Sequence, residues 1–459
     1  MELVPFSVIN QYHKERLVHP SRYTGKEFSF LKIFQHGLSF ALTKQKQKLI
    51  KNYLASPFGL QMFVYYLKSK RGKRMEVPKF REYVILDPGR VVKGNDKKWH
   101  SIYFDKIAKV IGSENLTLIS MKDNAGIPCD FEISQFQGSL PVPDEKEKGM
   151  LREILYALDN AKKSGQFTSE ELAQIRSSHH IFFEDFRFYY NLFKDQPVKC
   201  LMFICHYHNE GLIAALKLLK IHCVEVQHGL IASNDLYYVY HEQFAGSIAK
   251  AFFPDQILVY GPYWKRILEM GCEFRSFQIH VAGDYLYRLS GLTTEKHIKE
   301  NIVLVCAQKN LHEDYVAYGK QLAKHLEKHP DWRGIMKLHP LERNKQAYEE
   351  LKNYGIEIVD VETPLDVVLS KSKIQISIYS TTFYDAFGFD VINFSLQDFG
   401  TMSDYASDMI SEGVAAPINA DEDPVAKYQA MKDSEYRQLP REDVYAEFSE
   451  EVIRGAMKR

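Results

Sequence analysis

The stretch KCLMFICHYHNEGLIAALKLLKIHCVEVQHG, residues 199–229, decides the fold. KCLMFIC (199–205) is an apolar run of strand length, EGLIAALKLLK (210–220) reads as a helix, and HCVEVQ (222–227) is a second strand. Continuous apolar runs of this length are characteristic of strands covered on both faces. Strand–helix–strand with connections this short implies parallel strands and a right-handed crossover. Both strands run out into polar residues, Cys205-His-Tyr-His208-Asn209 after the first and His228-Gly229 after the second.

The same unit recurs on either side. Upstream, YVILD (83–87), closed by Pro88-Gly89, and LTLIS (116–120) are short β-rich runs. Leu151, Ile154, Leu155 and Leu158 fall at helical spacing within 147–163, and Thr168-Ser-Glu-Glu171 is a capping box that opens another helix. Downstream, QILVY (256–260) followed by Gly261-Pro262 repeats the unit. A second series follows the polar segment 284–300, whose Gly291-Leu-Thr-Thr suits a hinge. It reads NIVLVCA (301–307) as strand, 313–328 as helix, GIMKL (334–338) as strand, 344–353 as helix and IEIVD (356–360) as strand. KIQISIY (373–379) is the next strand, Thr381–Gly388 a helix and DVINFSL (390–396) a strand, with a helical tail from Pro424. Two α/β series predict two Rossmann-like domains, 81–283 and 284–459, with ligands at the carboxyl ends of the strands facing the cleft.

Residues 1–80 differ from the rest. FSFLKIFQHGLSFAL (28–42) and PFGLQMFVYYL (57–67) are aromatic and apolar, and lysines and arginines flank them with Glu76 nearly the only acid. A helical extension is expected there. It serves either as a peripheral contact with an anionic membrane surface or as an extension whose charged face is simply solvated.

Composition narrows the function classes. The chain has 459 residues, 45% hydrophobic and 26% charged, which excludes wholesale disorder. Lys+Arg and Asp+Glu are both 59, so there is no global charge to attract nucleic acid. Six scattered cysteines with no CxxC pair predict reduced core thiols, Cys205, Cys223 and Cys306 among them, rather than a disulfide scaffold. The first residues lack the apolar stretch of a signal peptide, and no window offers the roughly 18 uninterrupted apolar residues of a membrane span, so a cytoplasmic protein is expected. GxxxxGK[ST], GxGxxG, GxSxG and HExxH are all absent, which weighs against kinase-type, dinucleotide, serine-hydrolase and zincin readings. Asp421-Glu-Asp423, the only DxD-like run, lies in a late polar stretch away from the strand ends, so a metal-bound diphosphate is not expected there.

The remaining polar residues fall directly after predicted strands. In Lys337-Leu-His339-Pro340 the proline pins the backbone before it, presenting the imidazole in a fixed direction toward a phosphate oxygen, with Lys337 adding charge. The bland alternative is a helix-start proline with an incidental histidine. Ser380-Thr381-Thr382 opens a helix, where hydroxyls and free N–H groups suit an anion, and Asp385 lies about one turn in, within reach of ribose hydroxyls. N-capping explains one such hydroxyl without a ligand. In the first series, Gln227-His228-Gly229 offers a histidine suited to general-base work, with Gly229 allowing a tight turn. His206 and His208 end the neighbouring strand, and Asp87 and Arg90 stand on the same rim. Three neighbouring histidines invite a zinc reading, though nothing supplies a paired-spacing ligand motif. Ordinary strand-end polarity is the alternative for each of these.

With these residues in place, the chain from about 198 to 395 resembles the two-domain GT-B glycosyltransferases that build bacterial surface polysaccharides. The matching segments are VEVQHGLI (224–231), ILVYGPYWKRIL (257–268), VAGD (281–284), VLVCAQ (303–308), MKLHP (336–340) and SIYSTTFYDAFGFDVINF (377–394). In bacterial sialyltransferases, capsule Kdo transferases and CDP-glycerol polymerases, a Lys-x-His-Pro element and a Ser/Thr element bind the cytidine nucleotide phosphate. The resemblance implies that role for Lys337, His339, Pro340, Ser380, Thr381 and Thr382, with Gln308 on the donor side and Asp385 standing where many relatives have Glu. It implies catalysis by His228; Asp87, on the same rim, is the alternative base, and the strand-end positions of Arg90, His206, His208 and Gln227 put them on the acceptor side.

The implied activity is an inverting, metal-independent transfer from a CMP-activated sugar, such as sialic acid or Kdo, to a glycan or glycolipid, with no cofactor. A UDP-sugar transferase or epimerase and a CDP-polyol phosphotransferase are the rivals on the same fold. A non-enzymatic glycan binder is the rival from another class.

Overall fold

A computed structural model describes residues 77–139, 181–231, 237–239, 253–288, 298–398, 409–432 and 439–458, apart from isolated positions within these spans. Residues 1–76 of the expected extension, the helix over 147–163, the capping box at Thr168, the hinge glycine Gly291 and the binding candidate Pro340 lie outside the described residues.

The apolar runs form two parallel sheets. The first contains β1 (Tyr83–Asp87), β4 (Leu116–Ser120), β5 (Phe131–Glu132), β6 (Cys200–Phe203), β7 (His222–Val226), β8 (Gln256–Val259) and β9 (Ile279–Val281), in the order β5-β4-β1-β6-β7-β8-β9. A small antiparallel hairpin, β2 (Val91–Lys93) and β3 (Trp99–Ser101), follows β1. The second sheet contains β10 (Ile302–Cys306), β11 (Arg333–Lys337), β12 (Ile356–Val359), β13 (Ile374–Ser377), β14 (Ile392–Leu396) and β15 (Ala416–Ile418), in the order β12-β11-β10-β13-β14-β15. Strand order reverses between β1 and β6 and again between β10 and β13. Those two crevices, at the carboxyl ends of the strands, are where a doubly wound sheet binds ligands.

Alternation explains why the strands are apolar throughout. Ile85, Met202 and Val224 face one core, while Val84, Leu86, Leu201 and Phe203 face the other. Val303 and Val305 are likewise separated from Ile302, Leu304 and Cys306 in the second sheet. Each such side chain, fully buried, contributes about 1.5–3 kcal/mol. The segment expected as a helix over 344–353 is instead a run of 3₁₀ turns, Lys345–Tyr354.

The chain does not end on the second sheet. Helices Arg441–Val444 and Glu450–Ala456 return to the first, where Ala446 N donates to Tyr260 O (2.9 Å), Ser449 N to Ala282 O (3.0 Å) and Trp264 Nε1 to Val444 O (2.9 Å). His222 Nε2 meets Ala456 O at 2.9 Å. Gly283 makes this approach possible: its φ is +81°, and a Cβ there would lie 2.1 Å from Glu447 O. The two sheets also share an aromatic junction, in which Tyr384 packs 4.7 Å from Trp264 and its hydroxyl lies 3.3 Å from that of Tyr263.

Candidate functional site

The β1/β6 crevice is built from turns. Asp87 closes β1 fully buried. Its Oδ1 accepts from Gly89 N (2.7 Å), fixing the turn that delivers the exposed Arg90, and its Oδ2 has no hydrogen-bond partner among the described residues. Burial pushes this carboxyl up. Arg90 Nη1 donates to Tyr103 Oη (3.1 Å). Across the crevice β6 stops at Phe203, and Cys205 takes a left-handed backbone, φ 58°. Asn209 Nδ2 holds that turn by donating to Ile204 O (2.9 Å) and Cys205 O (3.0 Å). Strained non-glycine positions of this kind cluster at functional sites.

His228, partly exposed, lies on the turn after β7 and packs against Cys205. Its Nε2 is 3.0 Å from Cys205 Sγ and 3.4 Å from Tyr207 Oη, and its ring stands edge-on to Tyr103 at 6.3 Å. Burial pushes the Cys205 thiol up to about 12, so it keeps its proton. Burial, joined by the nearby Arg90 charge and partly offset by Glu225, pushes His228 down to about 4. The imidazole is therefore neutral at physiological pH and available as a proton acceptor. Gly229 has no left-handed φ, so the turn does not demand glycine there. Among the described residues no atom lies within 4 Å of the place a Cβ would take.

Two candidates on this rim lie beneath the surface. His206 is fully buried, with Nδ1 2.6 Å from Glu225 Oε2 and Nε2 2.9 Å from Tyr237 O. Both nitrogens face acceptors, and the ring pairs with the carboxylate. Burial alone would raise Glu225, but His206 and the Tyr238 hydroxyl hold it low. Gln227 is also fully buried: its Nε2 donates to Gly229 O (2.9 Å), and its Oε1 accepts from Tyr260 N (3.1 Å). Both residues brace the His228 turn. His208 is exposed, 4.7 Å from the Tyr207 ring.

In the β10/β13 crevice, Tyr315 ties the parts together. Its hydroxyl contacts Gln308 Oε1 (3.2 Å) and Ser377 Oγ (3.1 Å) and accepts from Ile378 N (3.2 Å). A hydroxyl chain follows. The buried Gln375 amide donates to Thr382 Oγ1, Thr382 Oγ1 donates to Ser380 Oγ (2.9 Å), and Thr382 N also donates to Ser380 Oγ (3.2 Å). With both acceptor positions of Ser380 filled, its own proton is left to donate. Thr381, at the helix start, is exposed, and its side chain makes no capping bond. Lys337 differs from expectation. It is buried, with Nζ on Asp360 O (2.7 Å) and Leu338 O (3.3 Å), so it braces the loop rather than charging the cleft. His339 is half-buried just beyond it. Asp423 of the DxD-like run caps the helix Pro424–Lys432 and pairs with His329, away from both crevices.

The two crevices face each other. Asp385, its side chain 36% exposed, lies near enough to Tyr103 for its charge to be felt there, and burial pushes its carboxyl up to about 6. Tyr103, bonded to Arg90 and edge-on to His228, thus brings these two near Asp385, and Ser380 and Thr382 stand at the start of the helix that carries Asp385, while His206, Gln227 and Lys337 are buried behind. Cys205, Tyr103 and Gln375 were not foreseen. Gln375 had a readable signal, an amide inside an apolar strand; the other two are placed by tertiary contact alone.

No protein-family model matches the chain, and no curated protein matches its sequence. Among solved structures it is similar to the UDP-GlcNAc 2-epimerase of Neisseria meningitidis bound to UDP-GlcNAc, with a TM-score of 0.51 and 12% identity over 82% of this chain and 98% of that one. Another UDP-N-acetylglucosamine 2-epimerase reaches 0.48 at 13% identity, over 83% and 95%. A glycosyltransferase from Rickettsia africae reaches 0.37 at 12%, over 83% and 93%. The first likeness, with the two parallel sheets, shows the GT-B fold.

Proposed function

We propose that this GT-B protein is an inverting glycosyltransferase that moves a sugar from a nucleotide-activated donor to a growing glycan. The observation that carries the reading is the meeting of the crevices. A neutral, partly exposed imidazole stands on one side, and a hydroxyl chain with a carboxylate stands on the other. His228 Nε2 takes the acceptor hydroxyl proton as the new bond forms. Ser380 and His339 meet the charge that develops on the leaving phosphate, and Asp385 accepts from the ribose hydroxyls. The cytidine nucleotide, the surface glycan and a membrane-facing role for residues 1–80 rest on the sequence resemblance and basic composition. Among the described residues no helix is long and apolar enough to cross a membrane.

The likeness to an epimerase that binds UDP-GlcNAc supports a second reading, a UDP-sugar epimerase. That chemistry needs two proton-transfer groups around one sugar. Here Asp87 is sealed while His228 is open, which favours the transferase. Incubation with CMP-sialic acid, CMP-Kdo, CDP-glycerol and UDP-GlcNAc separates these readings. Release of CMP from a CMP-sugar supports the proposal, and a C2 epimer formed from UDP-GlcNAc supports the rival. No turnover of any donor would sink both.

A further inference from the structure

Arg288 stands where the chain leaves the first sheet, and its side chain is only 8% exposed. Nε lies 3.4 Å from Asp284 Oδ2 and Nη1 lies 3.8 Å from Asp385 Oδ1, ion-pair distances longer than the 2.7–2.9 Å of a charge-assisted hydrogen bond. The guanidinium stacks 4.8 Å over Tyr445 and 5.5 Å over Phe389. Three parts of the chain meet on it: the turn after β9, the end of the helix Thr382–Phe387, and the returning C-terminal segment.

Nε and Nη2 make no hydrogen bond among the described residues, but the Asp284 and Asp385 carboxylates and the Tyr445 hydroxyl hold the buried guanidinium charged. Without the cation, Asp284 and Asp385 would be left near each other as like charges.

We propose that Arg288 is a positioning residue for donor recognition: standing between Asp284 and Asp385, it keeps the Asp385 carboxylate ionised and turned to the cleft, so that the ribose diol is read only while the two sheets are joined through this guanidinium. The proposal rests on the reading of Asp385 as the ribose acceptor. A diol donates two hydrogen bonds, and an ionised carboxylate accepts both, whereas a protonated one has a donor of its own in the way. Burial raises Asp385, Arg288 opposes the rise, and Asp284 and Asp366 add to it; Tyr103, Tyr260, Tyr445 and Cys306 also lie within range of its charge. Losing Arg288 raises the carboxyl further.

The test titrates the full chain with CMP, UMP and their 2′-deoxy forms between about pH 5.5 and 9. Wild type should prefer the ribonucleotide by about 10-fold or more near neutral pH, and Asp385→Asn should abolish that preference. Arg288→Gln should lose the preference near pH 7 and regain it toward about pH 9, with deoxynucleotide affinity held within about two-fold. Asp284→Asn keeps Arg288 and removes a facing carboxylate, so it should carry the preference to lower pH even if Arg288→Gln does not fold. A wild-type pH profile in either variant overturns the proposal. Wild type that binds CMP or UMP without discriminating the sugar overturns the ribose role and this proposal. Wild type that binds neither nucleotide overturns the donor reading with it.

Discussion

Replacing His228 with alanine removes the Nε2 that sits 3.0 Å from the Cys205 thiol and 3.4 Å from the Tyr207 hydroxyl. Both neighbours retain other surroundings, so the fold should hold and the loss should appear in the chemical step. A general base contributes roughly 10²–10⁴-fold to rate, most when its pKa is near the working pH. Burial and Arg90 hold this imidazole at about 4, well below its ordinary 6.5. It is fully unprotonated at neutral pH but a weaker base than an ordinary histidine, which places the loss in the lower half of the range, about 10²–10³-fold. The assay is turnover at saturating donor and acceptor from about pH 4 to 8, with nucleotide affinity measured alongside. His228→Ala should lose turnover and keep CMP affinity. The wild-type acid limb should fall near 4 rather than 6.5. Arg90→Gln removes a repelling cation, so it should move that limb upward. If His228→Ala keeps more than about a tenth of wild-type turnover, or the acid limb lies near the ordinary histidine value, the base is elsewhere.

Ser380→Ala should weaken nucleotide monophosphate binding about 10- to 150-fold by calorimetry, because a hydrogen bond to a charged group is worth roughly 1.5–3 kcal/mol; unchanged affinity removes the hydroxyl from the site. Activity should survive EDTA, and loss on chelation that manganese or magnesium restores would refute the metal-independent mechanism. Gly283→Ala combines a left-handed φ with a Cβ only 2.1 Å from the Glu447 carbonyl oxygen and should cost about 2–5 kcal/mol in denaturant unfolding, a near-wild-type midpoint being the contrary result. His228 also sets an acid response. Its folded pKa is depressed, so its stabilising contribution is present above about 6.5 and lost as pH falls through about 4; His228→Gln should flatten that part of the stability curve.

The two sheets were legible because parallel strands covered on both faces must be apolar throughout. Runs such as NIVLVCA and KCLMFIC carry that signal without any partner in view. The hairpin of β2 and β3 escaped because VVK and WHS are short, mixed and only partly buried. Strand ends located the candidate residues but could not assign their work. A polar side chain at a strand end can turn to the cleft, as His228 does, or back onto the loop carbonyls, as Lys337 does. Glu225 carries a further signal: a carboxylate inside HCVEV requires a buried partner, and the His206 ring supplies it. Arg288 and Tyr103 left no local trace, since segments far apart in sequence decide their surroundings.

The returning C-terminal helices also bear on how the protein is made. The bonds that seat them on the first sheet, Trp264 to Val444 and His222 to Ala456, span 180 and 234 residues of chain. A ribosome adding about 5–20 residues per second leaves β8 and the helix Pro262–Glu269 waiting about 10–40 s for their cover. Through that interval the apolar face around Trp264, Ile267 and Leu268 is open to chaperones and to other nascent chains. The first half of the polypeptide is synthesised first but finishes folding last, so expressing it alone would yield a sheet with an uncovered sticky edge rather than an independent domain.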